Sequence, residues 1–301
     1  MIDSHNRKDT DDPVLGISAM LISVVLFSVM DATVKWLGGT YSTQQIMFFR
    51  TAVAMVPVLI LLMHRGGFAL LKTEKIGLHV ARSLFGVTAM AFAFYAFSIM
   101  RLADAISILH TTPLFMTILS VLVLGERVGK RRWTAVTIGF IGMLIVIRPG
   151  PGILDSGGAY MLVATLCIAL TTTVIRYLSA TDDPVCITFY FTLSGIVVSS
   201  IVCLHSGWEW PPLNDWLLLA SIGLLGGSAQ FAMTFSYRYA EIGMVAPLKY
   251  LSIAVGGTLG YLLWGEVPDL QSFIGIFLIV STGIYTLHRE TVTARAKISG
   301  G

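Results

Sequence analysis

Four residues in this chain combine a reactive side chain with a costly setting. Lys249, with Tyr250 beside it, stands in a long apolar stretch from Arg238 to Glu266 that reads RYAEIGMVAPLKYLSIAVGGTLGYLLWGE. Asp31 lies one helical turn before Lys35 in another apolar run, and His110 lies within Leu109-His110-Thr111-Thr112-Pro113. An ammonium at mid-bilayer depth costs roughly 2.5–3.5 kcal/mol, so Lys249 is expected to face an anion, a cavity or a water path rather than lipid. Its chemistry is that of a point charge for an anionic group, with Tyr250 as a hydrogen-bonding neighbour. His110 titrates near neutral pH and suits a proton relay, as does a carboxyl such as Asp31. Each has a plainer reading. Asp31 and Lys35 can pair across one turn, Lys35 can snorkel to water, and His110 can simply bond between helices. Tyr95, Gln230 and Tyr237 are further candidates to line a substrate path.

The elements that must carry these residues are membrane helices. Of 301 residues, 55% are hydrophobic and 12% charged, with a mean hydropathy of +0.79, too apolar for a soluble fold of this length. Ten apolar segments are predicted to span a bilayer, at residues 14–37, 43–63, 76–99, 103–124, 133–147, 158–178, 185–204, 213–236, 242–264 and 271–288. The first is too long for a cleaved leader. Residues 1–13 form a polar cytoplasmic start and 289–301 a cytoplasmic tail. With the N-terminus inside, Arg101 and Arg148 are the outer basic residues, while Arg7, Lys8, Arg65, Lys72, Lys75, Arg127, Lys130, Arg131, Arg132, Arg176, Arg238, Arg289, Arg295 and Lys297 all fall inside. That asymmetry puts both termini in the cytoplasm of a multi-pass plasma (inner) membrane protein. Trp208, Trp210 and Trp216 then mark the outer interface.

Cys167, Cys186 and Cys203 lack metal-type spacing and are read as packing residues, so neither a metal nor a disulfide framework is expected. The chain holds no paired His/Asp motif, no glycine-rich phosphate loop and no basic surface suited to nucleic acid. No cofactor is expected. A transporter is therefore favoured over the alternative, a membrane-embedded transferase, which would cluster His, Asp or Glu at one interface.

The two halves match in order. A shift of about 141 residues sets Lys35 on Arg176, Trp36 on Tyr177, Leu37 on Leu178 and Phe48 on Phe189, and a shift of 140 sets Gly125-Glu126 on Gly265-Glu266. The chain is thus predicted to be an all-α membrane protein of ten transmembrane helices built as two inverted-topology five-helix repeats, 14–150 and 151–288. An odd number of helices forces the second copy in from the opposite side, the arrangement behind alternating access. Ile253 occupies the place of Pro113 in the second half, so the halves are not equivalent at the presumed site.

Leu124-Gly125-Glu126, Trp264-Gly265-Glu266, the glycine-containing IGFIGMLIVIRP and Pro113 together resemble the EamA-type branch of the drug/metabolite transporter superfamily, over 14–288. Within it, Met30–Leu37, Phe48-Phe49-Arg50 and Ala246–Leu251 are similar to S-adenosylmethionine and riboflavin uptake transporters. The resemblance implies a secondary transporter of a small polar metabolite, S-adenosylmethionine-, riboflavin- or amino-acid-like, with protons a candidate coupling ion. It also implies that Arg50 and Arg82 are fixed positions. A structural pairing is the plain role for Arg50, lipid-phosphate anchoring for Arg82, and the closing of helix-turn-helix units for Glu126 and Glu266.

Overall fold

The computed structural model describes residues 13–124, 129–148, 157–178, 181–239 and 245–299. Among these the chain is helical, with no strand. In order, the helices are α1 (Pro13–Leu37), α2 (Thr43–Arg65), α3 (Ile76–Ile99), α4 (Leu102–Leu109), α5 (Thr112–Leu124), α6 (Lys130–Ile147), α7 (Gly158–Leu178), α8 (Pro184–Ser206), α9 (Leu213–Tyr239), α10 (Leu251–Trp264) and α11 (Leu270–Ser299). Two 3₁₀ turns, Gly67–Leu71 and Ala246–Tyr250, complete the set. Ten spans follow: α4 and α5 form an interrupted fourth, and the Ala246–Tyr250 turn with α10 an interrupted ninth.

The spans are less uniform than the hydropathy pattern predicts. Seven stretches are long and apolar enough to cross a bilayer unaided, whereas Trp133–Ile147 and Leu270–Thr286 are shorter apolar helices and α10 has only 14 residues. Large apolar side chains such as Leu122, Leu204, Phe231 and Phe277 point outward, as lipid-facing residues must.

Local sequence explains the boundaries. Ser42 caps α2, its Oγ accepting from the Gln45 N–H, and Asp183 caps α8 with Pro184 at the first turn. The fourth span breaks where Pro113, lacking an N–H, cannot donate to the carbonyl four residues earlier. Thr112 Oγ1 donates to that Leu109 carbonyl at 2.6 Å, and Thr111 Oγ1 donates to Ile108 O at 2.6 Å. Polar backbone freed inside the membrane is thus satisfied by adjacent hydroxyls. Pro57, by contrast, sits within an unbroken α2.

Packing is organised across the halves. The most extensive helix pairs are α1 with α9, α3 with α7, α6 with α11 and α2 with α8, followed by α2 with α9; α3 also packs on α8 and α4 on α10. Replacing each span by the one five places on maps these pairings onto one another. Where α6 meets α11, Gly142 and Gly275 face each other so closely that a Cβ at either would come within 2.9 or 2.7 Å of the other's carbonyl oxygen. Small residues at this crossing are what let the backbones approach.

The connections gather at two ends. At one, Lys35 Nζ donates to Glu266 Oε1 at 2.5 Å and to the Met100 carbonyl, while the Leu102 N–H, free at the start of α4, donates to Glu266 Oε2 at 3.0 Å. Arg148 also pairs with Asp269 there. At the other, Asp182 accepts from Thr73 Oγ1 and from His79 Nε2, both at 2.6 Å, tying the 72–79 segment to the start of α8.

Candidate functional site

The two interrupted spans meet at their breaks. His110, the residue closing α4, lies 2.6 Å from Ser252 Oγ through its Nε2, and its ring stacks obliquely on Tyr250 with centroids 5.0 Å apart. Ser252 has one hydroxyl proton, and it donates this to the Lys249 carbonyl at 2.7 Å. The serine oxygen is thereby placed to accept from His110 Nε2 in the tautomer that carries the ring proton there. Lys249 sits in the 3₁₀ turn Ala246–Tyr250, where Pro247 occupies the first turn, and its charge acts on His110. Tyr250 is buried, 8% exposed, with its hydroxyl against Gly283 of α11, where any Cβ would overlap it. Three of the expected site residues, His110, Lys249 and Tyr250, thus share one junction, and Ser252 joins them. Although Ile253 replaces the aligned proline, the ninth span also departs from a regular α-helix, in the 3₁₀ turn that Pro247 opens six residues earlier.

Asp31 lies in a different polar cluster. It is 9% exposed on α1, and the charge acting on it is that of Arg50 on α2 rather than that of Lys249. The Asp31–Lys35 pairing and the snorkelling of Lys35 are both overturned, since Lys35 is buried and bonded to Glu266. Glu266 offers it a carboxylate that is simultaneously held by the Leu102 N–H, a geometry Asp31 cannot supply. Phosphate anchoring of Arg82 is overturned too. Its guanidinium carbon lies 3.6 Å from the centroid of Phe191 on α8, with Nε and Nη1 buried inside the bundle.

The remaining candidates are placed as follows. Tyr95 on α3 is 41% exposed and meets Tyr160 edge to face at 4.8 Å. Gln230 is exposed on α9. The side chain of Tyr237 and the whole of Glu126 lie outside the described residues. All three cysteines are free and buried, as packing residues are. Cys186 nevertheless lies with His79 and Asp182 in a group whose donor atoms fall within 4.8 Å of one another, a proximity that linear spacing hides. His79 and Asp182 already bond each other there, so the group reads first as a clasp between α3 and α8.

With this geometry in place, known proteins can be compared. The profile of the EamA-like transporter family matches residues 14–148 and 155–287. A pseudopaline exporter of Pseudomonas aeruginosa is 29% identical over 272 residues, covering 88% of this chain and 93% of that protein. An S-adenosylmethionine uptake transporter of Rickettsia bellii is 26% identical, covering 94% and 97% of the two chains, and a riboflavin transporter of Vibrio cholerae is 27% identical, covering 94% and 96%. A solved crystal structure shares the fold, with a TM-score of 0.63 at 17% identity over 91% of this chain and 95% of the other.

Proposed function

Because the chain belongs to the EamA-like transporter family, we propose that it carries a small polar metabolite across the bilayer by alternating access, with the substrate bound where the fourth and ninth spans are interrupted. The named relatives move S-adenosylmethionine, riboflavin and pseudopaline, and they are transporters rather than transferases. The observation that carries the proposal is the His110–Ser252 contact, which joins the two halves through the breaks of corresponding spans. Interrupted helices at equivalent places in two halves are how transporters expose backbone and polar side chains to a substrate at mid-membrane.

In this reading Lys249 receives the anionic part of the substrate, and Tyr250, Ser252 and His110 orient its polar groups. His110 Nδ1 or the Asp31 carboxyl carries the coupling proton. Tyr95, Gln230 and Tyr237 line the path to the junction. Inverted five-helix repeats supply the movement, supported by the helix pairing that persists when spans are exchanged five apart. The outer end is the one holding Lys35 and Glu266, on the positive-inside asymmetry.

Proteoliposomes containing the purified protein test this. Loaded with S-adenosylmethionine, riboflavin or an amino-acid mixture, they are expected to exchange one of these solutes chemically unchanged. Conversion of the solute without accumulation would refute transport in favour of catalysis.

A further inference from the structure

Away from the His110–Lys249 junction, α1, α2, α3, α8 and α9 enclose charges that no side chain among the described residues balances. Arg50 and Arg82 act on each other as like charges, and the carboxylate facing Arg50 is Asp31. Two guanidinium groups and one carboxylate leave an excess positive charge inside an apolar bundle, and buried charge of this kind calls for a counter-ion. Arg82 Nε and Nη1 are shut off from solvent and have no hydrogen-bond partner among the described residues. A guanidinium has five N–H donors and no way to shed its charge, so such orphaned donors are costly unless something accepts from them in another state.

The surroundings are shaped for the two groups. The Arg82 guanidinium carbon sits 3.6 Å over the Phe191 ring, a cation–π contact that uses none of its N–H donors. A Cβ at Gly86 would come within 2.5 Å of Arg82 Nη1 and 2.9 Å of the Phe191 ring. A Cβ at Gly226 on α9 would lie 2.9 Å from Met30 Sδ and 3.7 Å from Arg50 Nη2. Glycines therefore stand beside both guanidinium groups.

We propose that Arg82, steadied by Phe191 and seconded by Arg50, is a second binding site that takes an oxyacid group, a carboxylate or phosphate, as the counter-charge. Its planar donors suit such a group in a way a lysine would not. The group reaches it as part of a solute, and the site exists whether or not Lys249 contacts substrate.

The test uses the full-length protein purified in dodecyl maltoside. Thermal unfolding is followed as chloride is replaced by acetate or by inorganic phosphate at constant ionic strength, and separately as phosphatidylglycerol or phosphatidylcholine is added. A ligand that binds only the folded state raises its melting temperature saturably. The expected result is a rise of several degrees with acetate or phosphate that vanishes in Arg82→Gln and persists in Lys249→Met. A rise with phosphatidylglycerol and none with the soluble anions would overturn the solute site. Arg82→Lys keeps the charge and loses the plane, so it should fold while showing a weaker shift. No anion-dependent rise in the wild-type protein, or an equal rise in Arg82→Gln or Arg82→Lys, would overturn the site. Failure of the transport reading would show instead as normal transport by Lys249→Met.

Discussion

Lys35 Nζ donates to Glu266 Oε1 at 2.5 Å, joining the first span of one half to the end of the ninth span in the other. Both partners are largely withdrawn from solvent, at 7% and 18% exposure, and the same carboxylate caps α4 through Leu102. Removing one partner of such a pair strands the other, at a cost of about 3–5 kcal/mol. Lys35→Met should therefore lower the melting temperature clearly, and Lys35→Met combined with Glu266→Gln should lose less than the two single changes summed. Additive losses in a double-mutant cycle would show that the pair does not couple.

Acid should loosen both ends of the bundle. Arg148 holds the Asp269 carboxyl well below the usual carboxylate range, and hydrogen bonds from Thr73 and then His79 lower that of Asp182. Each folded-state pKa is depressed, so the stability these groups contribute is fully present above the unfolded value of about 3.9 and is lost as pH falls through the folded value. Melting temperature measured from neutral pH down to strong acid should hold until below about pH 4 and then drop. Asp182→Asn should drop less steeply than wild type, and an unchanged acid profile would count against the Asp182 clasp.

Gly283 makes room for the Tyr250 hydroxyl, so Gly283→Ala must displace that ring and with it the partner of His110. Overpacking of this kind costs about 1–3 kcal/mol. The variant is expected to insert normally and transport poorly, and Gly283→Ala with Tyr250→Leu to regain stability but not transport. Wild-type transport by Gly283→Ala would mean that the position of Tyr250 does not matter.

The break in the fourth span should be needed for activity at the expense of stability. Pro113→Ala restores an N–H able to donate to Leu109 and so allows α4 and α5 to join in one helix. Higher thermal stability with reduced transport is expected. Equal transport with a higher melting temperature would make the break incidental.

The spans, their order and the residues Lys249, Tyr250 and His110 could be read from hydropathy and from the price of polar groups in lipid. What the sequence could not give was who meets whom. Asp31 and Lys35 are one turn apart and natural partners by spacing alone, yet the charge acting on Asp31 is that of Arg50 on the next span, and Lys35 is bonded to Glu266, 231 residues away. Ser252 carries no linear signal, since a serine near a lysine is commonplace, and only the meeting of two breaks makes it the acceptor of His110. Arg82 read as a headgroup anchor because its distance from the helix start says nothing of the direction in which its side chain runs. The His79–Asp182 clasp links residues 103 apart, beyond any local pattern.

The most direct measurement is uptake by proteoliposomes containing Lys249→Met, beside wild type and Lys249→Arg, with the fold of each checked by thermal unfolding. Methionine keeps much of the stem and drops the charge, while arginine keeps the charge with a different shape. If substrate binds at the junction of the interrupted spans, Lys249→Met folds normally and loses transport, with Lys249→Arg intermediate. Wild-type uptake by a well-folded Lys249→Met protein would contradict the account and move the substrate elsewhere.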